Sequence, residues 1–153
     1  MKKLNLFAIA MLLISGGVVL ISACNKEEDE ASIIGTWKVT GALFNPAYDP
    51  GTGLTTDAYS LMFSQVCSQD DLIMFQDNGV EIEDEGALKC DSTAAQQTTH
   101  SYTYTGNTLS IVSSGDTSTI TNIAITAATL TGSLSVDFGG GTPVNIDMTL
   151  TRQ

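Results

Sequence analysis

Leu130-Thr131-Gly132-Ser133-Leu134-Ser135-Val136-Asp137-Phe138 and Val144-Asn145-Ile146-Asp147-Met148-Thr149-Leu150-Thr151-Arg152 alternate apolar with polar or small residues along nearly their whole length. A period of two puts successive side chains on opposite faces of an extended chain, so each stretch reads as a strand with one buried face. Gly139-Gly140-Gly141, with Pro143 after it, supplies the turn between them. The same grammar extends toward the N-terminus. Residues 117–126 follow a turn at Gly115-Asp116, and residues 98–105 and 108–113 flank Gly106-Asn107. Residues 71–76 and 80–85 flank Asp77-Asn78-Gly79, where Asn-Gly predicts the two positive-φ positions of a type I′ turn. Residues 33–44 place Trp37, Val39 and Leu43 on one face of a first strand, opposite Lys38 and Thr40. Residues 45–57, rich in Pro, Gly, Asp and Thr, predict a long loop. Residues 59–66 fit either a short helix or a covering segment. Eight short strands, each with one apolar face, must close or stack, because open edges aggregate. The expected fold is all-β, a single antiparallel up-and-down barrel of about eight strands.

At the other end of the chain, Lys2 and Lys3 precede an apolar run that closes on Leu20-Ile21-Ser22-Ala23-Cys24. A basic start, an apolar middle and small residues before the cut describe a secretory signal peptide. Ile-Ser-Ala-Cys resembles the lipobox of bacterial lipoproteins, which implies that residues 1–23 are cleaved and that Cys24 carries lipid, palmitate included. Several acyl chains hold a protein on a membrane firmly where one holds it marginally. Next comes Asn25-Lys26-Glu27-Glu28-Asp29-Glu30. Lys26, Glu27 and Glu28 resemble the lipoprotein export signal of Bacteroidetes, which implies lipid anchoring in the outer membrane and exposure at the cell surface. The organisation expected is a signal peptide over 1–23, an acylated cysteine and acidic tether over 24–32, and a barrel over 33–153.

Removing residues 1–23 leaves 130 residues and takes the formal charge from −11 to −13. From Ala31 onward 13 acidic residues face only Lys38, Lys89 and Arg152. That balance excludes nucleic acid, whose phosphates demand a basic patch, and leaves cationic ligands electrostatically permitted. Assigning Cys24 to lipid leaves Cys67 and Cys90, an even pair in an oxidising compartment, for which a disulfide is the default.

Gly35-Thr36-Trp37 at the head of the first strand resembles the Gly-x-Trp signature of lipocalins. The series Cys67, Asp70-Asp71, Phe75, Asn78-Gly79, Cys90 is similar to the pattern of lipocalin-like domains in Bacteroidetes lipoproteins. The resemblance covers residues 33–152 and implies a lipocalin-like barrel. It also implies structural roles for Gly35, Trp37 and Arg152, with a basic side chain of the final strand lying across the Trp of the first. Arg152 shares the two-residue alternation of Val144, Ile146, Met148 and Leu150, so its parity suits that contact.

No catalytic constellation emerges, and the chain reads as non-enzymatic. Gly-x-Ser-x-Gly, His-Glu-x-x-His and phosphate-cradling glycine loops are absent. His100, among Thr and Ser, reads as a surface histidine. Glu81, Glu83 and Glu85 alternate with Val80, Ile82 and Asp84 and read as a solvated strand face rather than a calcium site. No metal site and no cofactor is expected. The candidate ligand-binding residues are Trp37, Met74, Tyr102, Tyr104 and Met148, which would line an apolar interior for a small apolar or amphipathic molecule. The same residues could instead fill the core of a packed barrel. In that case the protein would be an interaction module, an accessory subunit of an outer-membrane complex or an adhesin.

Overall fold

Nine strands run through the computed structural model, which describes residues 31–139 and 141–153. They are β1 (Gly35–Tyr48), β2 (Thr55–Asp57), β3 (Leu72–Phe75), β4 (Val80–Asp84), β5 (Gln97–Thr105), β6 (Thr108–Ser113), β7 (Asp116–Ile125), β8 (Thr129–Val136) and β9 (Val144–Arg152). From β3 to β9 each strand pairs antiparallel with the next, β3 also pairs with β1, and β9 returns to β1. Eight strands thereby close an up-and-down barrel, the all-β fold expected. Closure gives every strand of that ring a neighbour on both sides, over only three residues where β1 meets β3. The ninth strand, β2, is an addition on the outer reach of β1, where Leu43 faces Asp57 and Tyr48 faces Thr55.

The interior is filled from all sides. Trp37, Val39, Phe75, Tyr102, Leu109, Ile123, Leu130 and Leu150 form one buried cluster with Ile33, and Ala42, Phe44, Ala58 and Ile146 form a second. A bulge joins the two along β1. Val39 faces Leu150 but Gly41 faces Thr149, so Thr40 is an extra residue and the inward parity changes from odd to even numbers. Ala42 and Phe44 consequently point inward, while Leu43, expected beside Trp37, is 56% exposed. β7 carries a second bulge between Thr121 and Ala124, around Asn122 at φ 55°, and it brings Ile123 inward as well as Ile120 and Ile125.

The turns explain the remaining departures from the sequence reading. Residues 45–57 are not one long loop, since β1 continues through Asn45-Pro46 to Tyr48 before Asp49 Oδ1 accepts the amides of Gly51 and Gly53. Between β6 and β7 the turn residues are Ser114 and Gly115, both at positive φ, one place earlier than expected. Between β3 and β4 only Gly79 has positive φ, and Gly79 N donates to Gln76 O. That is the three-residue loop with a left-handed glycine, not the two-residue type I′ turn. The one-residue difference sets Phe75 opposite Glu81.

Residues 59–66 contribute a single helical turn at Tyr59–Met62, with a 3-10 turn following at Val66–Gln69. Tyr59 and Phe63, stacked with ring centroids 5.0 Å apart, pack on the barrel core as a cover. The Cys67–Cys90 disulfide, with Cα atoms 5.2 Å apart, ties this cover to the loop between β4 and β5. Asp70 reinforces the tie by accepting the amides of Ala87 and Leu88 at 2.7 and 3.0 Å. The proposed signal peptide over 1–23, Cys24, and the tether as far as Glu30, with Lys26, Glu27 and Glu28, lie outside the described residues.

Candidate functional site

Pairing of Trp37 with Arg152 across β1 and β9 builds one end of the barrel shut. Trp37 is fully buried, its Nε1 donates to Ile33 O at 2.8 Å, and the Arg152 guanidinium carbon stands 4.2 Å from its ring centroid. Arg152 also donates to Ile34 O, Ser32 O and Ala127 O at 2.9, 2.7 and 2.8 Å. A side chain at Gly35, whose φ is +137°, would run into that guanidinium. Gly35, Trp37 and Arg152 therefore form one plug, in which the cation gains a π-face and three carbonyls while leaving no room for a ligand.

The other proposed lining residues are divided by the structure. Tyr102 is buried edge-on to Phe75 with centroids 5.0 Å apart, and its hydroxyl donates to Gln76 O at 2.7 Å. Its hydrogen bond and packing are both satisfied, so it is core. Tyr104, two residues on, is 37% exposed near the end of β5. Met74 is a correction: it alternates with inward Phe75 and pairs with Thr36 and Ile82 on the outer face, so it cannot line the interior. Met148, on the inward face of β9, keeps a place at an opening into the barrel.

That opening exists because β1 and β3 pair over only three residues, Gly35 to Trp37, and then diverge. The gap is a pocket of about 240 Å³. Val39, Leu72, Ile73, Phe63 and Met148 give it an apolar wall, and Asp71, Glu83 and Glu85 give it an acidic rim. Burial first, then Glu85 and Asp70, holds the Asp71 carboxyl above its ordinary value. The rim thus gathers three carboxylates with no lysine or arginine among the lining residues, an arrangement suited to a cation.

Beside this mouth lies a group of residues whose placement overturns two sequence expectations. Glu81, expected on a solvated face, is 1% exposed, because it sits opposite inward Phe75 on β3 and opposite His100 on β5. His100, expected at the surface, shares the parity of Tyr102 and has only 10% of its side chain exposed. Its Nε2 stands 3.6 Å from Glu83 Oε2, and Glu83 is largely solvent-facing. Neither Glu81 oxygen has a hydrogen-bond partner. Burial, and then the neighbouring Glu83 carboxylate, push Glu81 up to about 7. The spacing of His100 and Tyr102 was a legible signal for an inward histidine; the inward turn of Glu81 depended on the hairpin register.

In comparisons with known proteins, no protein-family model, no curated protein and no solved structure matches this chain.

Proposed function

We propose that the chain is a lipid-anchored outer-membrane lipoprotein, displayed at the cell surface, whose non-catalytic lipocalin-like barrel takes a small amphipathic cation at its open mouth. The anchor and address rest on the lipobox-like Ile21-Ser22-Ala23-Cys24 and on Lys26-Glu27-Glu28. The observation that carries the binding reading is the pocket of about 240 Å³, apolar within and rimmed by Asp71, Glu83 and Glu85. An amphipathic cation would satisfy both walls, its apolar part displacing water and its charge meeting the carboxylates.

Native mass spectrometry of the protein purified from its own membrane tests the binding reading. A small molecule retained by the wild type and lost from a pocket-filling Ile73→Phe variant that still folds is the expected result. Retention of none, or equal retention by both proteins, refutes it. The anchor is checked separately: Cys24→Ser should abolish labelling by an alkyne analogue of palmitate. Alanine at Lys26, Glu27 and Glu28 should reduce surface accessibility on intact cells at constant total protein.

A second reading, the protein-interaction module, is favoured by the outer face of the barrel. Asn45, Thr119, Thr121, Asn122, Ser133 and Asp147 line a polar groove of about 380 Å³ there. Failure of the retained-ligand experiment, together with capture of one defined partner that Thr121→Lys abolishes, would replace the first reading by this one.

A further inference from the structure

We propose that Glu81, Glu83 and His100 form a binding site for a divalent transition-metal ion of the zinc class, inside the barrel wall between β4 and β5. One ligand atom from each residue lies within 4.8 Å of the other two. Metal–oxygen and metal–nitrogen bonds of about 2.0–2.2 Å need somewhat closer spacing, which side-chain rotation of Glu83 from its solvent-facing position supplies. The strand register makes this cluster: Glu81 and His100 are directly opposed, and Glu83 is two residues along the same face.

What points to a ligand, rather than to a mere acidic group, is Glu81. It is buried in the interior with both carboxylate oxygens unpartnered. A buried carboxylate without hydrogen bonds or a counter-charge is costly, and proteins answer that cost with a proton, a cation or a metal. Among the described residues no lysine or arginine is at hand to serve. Lys38 follows Trp37 on the opposite face of β1, Lys89 is hydrogen-bonded to Ala94 O, and Arg152 is engaged at the Trp37 plug.

The donor set selects the class of ion. Calcium takes six to eight oxygens, whereas an imidazole nitrogen with two carboxylates suits zinc and its neighbours. Three protein ligands leave a fourth position for water or for a donor atom of a bound molecule. Glu83, reaching solvent, provides the entry path. This inference stands on the cluster alone and does not rest on a ligand in the adjoining pocket.

The test uses the full chain in detergent, stripped with a chelator and titrated with Zn²⁺ by calorimetry, with Co²⁺ as a spectroscopic substitute. Saturable uptake of about one ion per chain is expected, with visible Co²⁺ bands that Zn²⁺ bleaches. Glu81→Gln and His100→Asn should each weaken Zn²⁺ binding by more than roughly tenfold, as loss of a direct ligand costs at least as much as loss of its support. Asp137→Asn, exposed just after β8, a strand that pairs with neither β4 nor β5, should leave binding unchanged. Should Glu81→Gln not fold by circular dichroism, Glu83→Gln decides in its place. Absence of saturable uptake, binding unaltered in the variants, or Ca²⁺ binding more tightly than Zn²⁺ would each overturn the proposal; a proton would then be what Glu81 holds.

Discussion

Arg152 is a single side chain that serves several elements at once. It stacks on Trp37 of β1 and donates to carbonyls before β1 and in the β7–β8 turn. A double-mutant cycle on Trp37→Phe and Arg152→Ala, followed by urea unfolding, should give a coupling energy of about 0.5–2 kcal/mol. Additivity within a few tenths of a kcal/mol would mean that the carbonyl contacts hold Arg152 there without the ring. Asp147 acts similarly on the outer face, accepting from Ser133 Oγ at 2.6 Å and Asn45 Nδ2 at 2.8 Å across three neighbouring strands. Those two bonds lower its pKa. Because the folded value lies below the unfolded one, its contribution is present above the unfolded value near 3.8 and is lost as pH falls through the folded value. Asp147→Asn should therefore lower stability at neutral pH and flatten its decline under acid, measured as melting temperature between about pH 2 and pH 7.

At the scale of elements, the two bulges decide which residues meet. In β7 the extra residue brings Ile123 against Gly132 of β8, and a Cβ at Gly132 would stand 2.7 Å from both Ile120 Cγ2 and Ile123 Cδ1. Gly132→Ala should thus destabilise by about 1–3 kcal/mol through overpacking, read from chemical denaturation. A neutral result would show that the isoleucines have room to withdraw. In a strand pattern such as Leu130-Thr131-Gly132-Ser133-Leu134, a glycine at an inward position is itself the readable sign of close approach. The bulges were less legible. Thr40 and Asn122 carry no composition that separates an extra residue from a paired one, and for that reason alternation alone puts Leu43 beside Trp37 although it faces outward. The β3–β4 hairpin teaches the same lesson: Asn78-Gly79 pointed to a turn, but either a two- or a three-residue loop fits those residues. The choice inverts every side chain of β4 relative to β3.

For the molecule as a whole, the disulfide and the cover act where the barrel is weakest, at the divergence of β1 and β3. Cys67 and Cys90 are 23 residues apart, so the chain-entropy account gives the bridge about 3 kcal/mol. Reduction without denaturant should lower the melting temperature by many degrees while leaving the far-UV spectrum of the β-barrel nearly unchanged at room temperature. An unchanged melting temperature would mean that the cover docks without the bridge. The sequence by itself determined the eight strands of the antiparallel barrel though not the added β2, the cysteine pair and the Trp37–Arg152 parity, because alternation, turn residues and cysteine arithmetic are local properties of the chain. Tertiary structure alone decided that Glu81 and His100 face inward, that Met74 and Leu43 face outward, and that an acidic-rimmed pocket opens beside Met148. Inward and outward are assigned by cross-strand register, and register is settled only when each strand's bulges and loop lengths are balanced against the packing of its neighbours.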